Sequence, residues 1–139
     1  MPATIGRWLF KEEPTHYSFD QLVKDGRTRW EGVHNNAALK NLRSVRKGDE
    51  ILYYHSGDEK AAVGIMTATS DAYPDPKAGE EKLAVVDVKP MRKLKRPVTL
   101  SEMKASPKFV GFDLLRLPRL SVMPVPDRFW TEILKNSEG

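Results

Sequence analysis

The chain has 139 residues, 40% hydrophobic and 30% charged, with 23 Lys and Arg against 19 Asp and Glu, a formal charge of +4 and no cysteine. That length fits a single domain, residues 1–139 with a core over about 7–134, able to bury an interior without staples. The absence of cysteine excludes disulfides, thiolate metal sites and cysteine nucleophiles, and suits a reducing compartment. No apolar run approaches the roughly 20 residues of a membrane span, and residues 1–7 lack the apolar stretch of a secretory signal. A cytoplasmic protein with no membrane partner is expected. The small basic excess permits nucleic-acid binding without demanding it.

Residues 7–11, Arg-Trp-Leu-Phe-Lys, are short and aromatic and predict a strand. Glu12-Glu13-Pro14 ends it, because proline cannot donate to a ladder. Ser18-Phe19-Asp20-Gln21 matches a capping box, with Phe19, Leu22 and Val23 as the apolar face of a helix stopped by Asp25-Gly26. Asn35 is a good N-cap for a short helix carrying Ala37, Ala38, Leu39 and Leu42. Lys47-Gly48-Asp49 is a turn, and residues 50–55 form a strand rich in aromatic and branched side chains. After a turn over 56–60, residues 61–69 read as another strand, and 73–81 as loop.

Residues 83–88 form a strand continuing toward Met91. The basic run of Lys89, Arg92, Lys93, Lys95 and Arg96 reads as a solvated hairpin face or as a phosphate track. Thr99-Leu100-Ser101-Glu102 is a second capping box, opening a helix that Pro107 ends. Residues 119–122 read as the last strand, and 126–134 as an amphipathic helix with Phe129, Trp130, Ile133 and Leu134 inward. Several antiparallel strands and four short helices in mixed order predict an α+β domain around a small curled sheet or barrel.

Seven separated segments, in this order, resemble the EVE domain from about Arg7 to Leu134. They are Trp8-Leu9-Phe10-Lys11-Glu12-Glu13-Pro14, Trp30-Glu31-Gly32-Val33-His34-Asn35, Lys47-Gly48-Asp49, Tyr54-His55-Ser56, Tyr73-Pro74-Asp75-Pro76, Val86-Asp87-Val88 and Arg119-Leu120-Ser121-Val122-Met123-Pro124-Val125. The resemblance implies a PUA-like curled β-barrel of about five to six mostly antiparallel strands flanked by short helices. It also implies kinship with YTH domains, which hold a flipped, methylated base in an aromatic cage. Eukaryotic members are associated with reading modified cytosine in DNA, and some bacterial stand-alone copies with defence against modified phage DNA. The pattern departs at one place. Where the family has Gly-Val-Arg-Asn, an aromatic and a second Arg, this chain has Gly32-Val33-His34-Asn35-Asn36 and then Leu39. One titratable ring and one apolar group replace two permanent charges.

Trp30 is the candidate stacking platform, since an aromatic face under a base is worth roughly 1–3 kcal/mol; a core tryptophan is the alternative. Trp8 and Trp130 read as core. Gly32 and Val33 fit a tight turn beside a ligand. Asn35 offers a donor and an acceptor to a base edge, as well as a helix cap. Lys11 could meet a phosphate and Glu13 an exocyclic amine, or the two form a surface ion pair. His55, Ser56 and Ser121 are candidate polar lining groups. Arg43, Arg46, Lys47, Arg92, Lys93 and Arg119, with Lys11, are the candidate backbone contacts.

His55, Ser56 and Glu13 supply the residue types of a hydrolytic triad. However, no nucleophile elbow is present, and adjacent Ser and His on a strand point to opposite faces. His16, His34 and His55 show no metal-ligand spacing. The reading is therefore a monomeric, non-enzymatic module without metal or cofactor. It recognises a modified nucleobase in DNA or RNA by base flipping; the alternative is a pocket for a free nucleotide or small aromatic metabolite.

Overall fold

The structure, a computed structural model, describes residues 5–76 and 83–138. Its elements run β1 (Arg7–Glu12), α1 (Phe19–Asp25), β2 (Thr28–Trp30), α2 (Asn36–Arg43), β3 (Glu50–His55), β4 (Ala61–Ala68), β5 (Tyr73–Pro74) and β6 (Ala84–Thr99). Then follow α3 (Leu100–Ala105), a 3-10 turn (Pro107–Phe109), α4 (Asp113–Arg116), β7 (Val122–Pro124) and α5 (Asp127–Glu138). The strands form one mixed sheet in the order β2-β6-β4-β3-β1-β7, with β5 beside β6. All pairs are antiparallel except β1 with β3. A parallel pair needs a crossover, and α1, β2 and α2 supply it. Bulges in the β3–β4 and β4–β6 ladders bend the sheet into a curled half-barrel.

Local chemistry explains most boundaries. Asn35 accepts from the Ala38 amide and starts α2. Thr99 and Glu102 form the complete capping box of α3. The box expected at α1 is only half made: Ser18 accepts from the Gln21 amide, but the Gln21 side chain bonds Asp25 instead of reaching back. Gly64 lets α1 settle on the sheet, because a Cβ there would meet the Phe19 ring at 2.5 Å.

Three expectations need correction. The basic run is not a hairpin; β6 continues through it for 16 residues, burying only Leu94 and Val98 on its later half. The last strand is Val122–Pro124 rather than 119–122, because it pairs with β1 as Phe10↔Val122, Leu9↔Met123 and Trp8↔Pro124. The loop expected over 73–81 contains the short β5; residues 77–81 lie outside the described residues.

The core includes an aromatic cluster of Phe10, Phe19, Trp30 and Tyr53, and a stacked set of Phe109, Phe112 and Phe129. Trp130 is core as expected, with Arg7 over its ring at 5.2 Å. Trp8 is half-buried and donates to Asp49, a buried carboxylate that also accepts from the Gly6 and Arg46 amides.

Candidate ligand site beside Trp30

Strands β1 and β3 run parallel and end together, with Glu12 opposite His55. Side chains alternate along a strand. One face of the pair therefore carries Phe10, Glu12, Tyr53 and His55, and the other Lys11 and Tyr54. Trp30, the last residue of β2, packs against the first face, tilted on Phe10 at 5.4 Å and edge-on to Tyr53 at 5.3 Å. Trp30 is 5% exposed, and that remaining surface lines a cleft of about 150 Å³ with Glu12, His16, Tyr17, Thr28, Arg29 and Glu31. At about 30 Å³ of liquid per water, the cleft has room for a few waters or one flat ring.

The polar groups around it are mostly committed. Tyr53 donates to the Tyr17 carbonyl, and its ionisation is pushed up, first by burial and then by the charge of Glu12. The Tyr17 hydroxyl donates to Asp25 at 2.7 Å. Arg29 donates to the Tyr73 hydroxyl at 3.1 Å, which donates on to Asp87 at 2.7 Å. Glu12 accepts through Oε1 from the Glu13 amide at 2.9 Å and pairs with His16 at 3.2 Å. Among the described residues, its Oε2 has no partner.

The expected site residues are not brought into one pocket. Gly32, at φ +83°, turns the chain out of β2. Gly32 and Val33 line a separate cleft of about 280 Å³ with His34, Asp75 and Leu83. Asn35 lies at a third, mostly apolar cleft of about 330 Å³, beside Ala37 and the stretch from Arg116 to Leu120. Leu39, where a second Arg was expected, is fully buried core.

Lys11 points to the sheet face opposite Trp30. It donates to the Pro118 carbonyl at 2.9 Å and sits over the Tyr54 ring at 5.7 Å. Burial lowers its pKa and pushes that of Tyr54 up to about 12. The Glu13 carboxylate lies against Gly57, where a Cβ would meet it at 2.4 Å, and Glu13 does not line the Trp30 cleft. His55 is buried and has both ring nitrogens in use: Nε2 accepts from the Phe19 amide at 3.0 Å, and Nδ1 donates to Glu59 at 2.8 Å. That fixes its tautomer and removes it as a ligand donor. Ser56 and Ser121 are half-buried and flank β1 through their backbones, with the Ser56 amide donating to the Glu12 carbonyl and the Ser121 carbonyl accepting from the Lys11 amide.

The candidate phosphate contacts divide likewise. Arg46 folds back onto the Arg43 and Val45 carbonyls. Arg43 borders a further cleft with Ala72, Tyr73, Pro74 and Ala84. The Lys47 amide donates to Asp71, and its side chain is exposed. Lys93 pairs with Asp20 at 3.1 Å. Arg92 and Arg119 are exposed, with no partner among the described residues. Sequence reasoning missed Glu12, His16, Tyr17 and Arg29. The signal for Glu12 was present, since it stands two residues after Phe10 and shares its face.

Comparison with known proteins fits this architecture. The EVE domain family model matches residues 6–136. Thymocyte nuclear protein 1 of Rattus norvegicus is 30% identical, over 95% of this chain and 74% of the relative. A Rhodopseudomonas palustris protein solved by NMR superposes with a TM-score of 0.91 at 39% identity, covering 96% of this chain and 94% of that one. Human THYN1, solved in complex with 5-methylcytosine-containing DNA, superposes with a TM-score of 0.88 at 27% identity, covering 96% of this chain and 98% of that one. The curled sheet, the segment order and these matches over nearly the whole chain agree: the protein belongs to the EVE domain family.

Proposed function

We propose that this domain binds nucleic acid carrying a modified base and takes that base, flipped or from a single strand, into the cleft beside Trp30. The observation that carries the reading is the likeness, over 96% of this chain, to the solved chain of human THYN1 in complex with 5-methylcytosine-containing DNA. The cleft of about 150 Å³ is small enough to favour a single ring, and Trp30 offers it an aromatic wall. Its base-holding part acts without a covalent step, consistent with a His55 ring already bonded at both nitrogens. Arg27, in the polar cleft that shares Thr28, Arg29 and Glu31 with the Trp30 cleft, and exposed Arg92 and Arg119 supply cations for phosphates.

A second reading, a pocket for a free nucleotide, is favoured by the bonds of Lys11, Arg46 and Lys93 to other groups of the protein, which leave fewer unpaired cations for a backbone. Fluorescence anisotropy with matched oligonucleotides carrying cytosine or 5-methylcytosine, over a salt series, separates the two. A polymer binder prefers one probe and weakens steeply with salt. Trp30→Phe, which keeps the core filled, weakens binding several-fold if the base stacks there. Binding of a nucleoside with no oligonucleotide affinity at low salt supports the second reading and rejects the first.

A further inference from the structure

Among the residues lining the cleft beside Trp30, Glu12 has an acceptor, Oε2, with no partner among the described residues. Glu12 is the last residue of β1 and shares a face with Phe10 and Tyr53, the two rings that hold Trp30. Its side chain is 24% exposed, and Oε1 is fixed by the Glu13 amide and by His16. One hydrogen bond and one close histidine contact on the same oxygen orient the carboxylate and leave Oε2 as the remaining acceptor. Its charge reaches the buried face, where it contributes to the raised pKa of Tyr53. The neighbouring Arg29 is held by Tyr73, and Tyr17 by Asp25.

We infer that Glu12 is the specificity-determining residue of this site and selects a base whose exposed edge carries an exocyclic amine, such as cytosine, over a keto pyrimidine, such as thymine or uracil. The inference rests on the reading of the Trp30 cleft as the base site. An ionised carboxylate only accepts, so it pairs with the N4 amine of cytosine and repels the O4 carbonyl of thymine. Glu13, the carboxylate that sequence reasoning favoured, lies against Gly57 instead.

The test uses two oligonucleotides that differ at one position, 5-methylcytosine in one and thymine in the other. Both bases carry the same methyl group and differ at the edge Glu12 would read. The wild-type protein is expected to prefer the 5-methylcytosine probe by about tenfold or more, since hydrogen bonds to charged groups discriminate at that level. Glu12→Gln, which keeps an acceptor for the Glu13 amide and adds a donor for O4, brings the ratio close to one with an unchanged melting temperature. Glu12→Ser serves as a second variant, with the same loss of preference expected. Glu13→Gln leaves the wild-type ratio in place. An undiminished preference in both Glu12 variants, with binding still sensitive to Trp30→Phe, overturns the role of Glu12 and leaves the base site standing. If the wild-type protein binds neither probe, the base site itself is rejected and the inference falls with it.

Discussion

On one face of the β1–β3 pair, Phe10 and Tyr53 pack with Trp30, beside a small cleft lined by Glu12, whose Oε2 has no partner among the described residues. On the other, Lys11 lies over Tyr54 with its ammonium on a backbone carbonyl. Lys11 and Glu12 are adjacent in sequence, yet only Glu12 reaches the Trp30 cleft. A motif that reads as one block is thus split by the two-residue period of a strand into a half that lines the Trp30 cleft and a half packed on the opposite face.

The largest way to break this contrast is Trp30→Ala. Removing a buried indole that holds Phe10 and Tyr53 is expected to cost about 3–5 kcal/mol, read as a shift in the urea midpoint. Next is Gly64→Ala. Its Cβ would meet the Phe19 ring at 2.5 Å, and the displaced helix α1 should cost about 1–3 kcal/mol. His55→Ala strands the buried Phe19 amide for about 1–3 kcal/mol. If His55 is structural, oligonucleotide affinity of the folded fraction stays within twofold of wild type; a larger loss would return His55 to the site. Lys11→Met sharpens the contrast from the other face. The stem packing is kept and one carbonyl bond is lost, so stability should move by no more than about 1 kcal/mol, and base preference should not move at all.

The smallest effect lies away from both faces. Arg96 holds Glu102 at 3.0 and 3.1 Å and lowers its pKa from the ordinary 4.5, with the Thr99 amide adding to the shift. A depressed carboxylate contributes stability above its unfolded pKa and loses it as pH falls through the folded value. Glu102→Gln should therefore reduce stability at pH 7 by about 0.2–1 kcal/mol for a surface pair, read as a slightly lower melting temperature, and the difference from wild type should start to shrink as pH falls below 4.5 and vanish once it is below the lowered folded value.

The sequence made β3, α2 and the α3 cap legible because each is decided locally: branched and aromatic residues in 50–55, Asn35 at a helix start, Thr99 with Glu102. β2 was illegible because three residues carry no period, and their strand state depends on pairing with Val86 to Val88. The extent of β6 was hidden by charge, since a strand solvated on one side reads as a loop once its apolar alternation thins. The site was legible only in part. Trp30 stood out as an aromatic in a recognisable segment, but which neighbours it meets depends on the parallel register of β1 and β3, and no local pattern encodes a crossover pairing.

The strand order also bears on self-association. Its two terminal strands, β2 and β7, are three residues each, and β7 ends in Pro124. Strands this short offer another copy almost no ladder to extend at these two ends, and proline removes a donor from what remains on β7. The curled sheet can therefore keep a cleft at the end of β1 and β3 without its terminal strands inviting edge-to-edge fibre growth, so lengthening β2 is a change apt to turn a binding domain into an aggregating one.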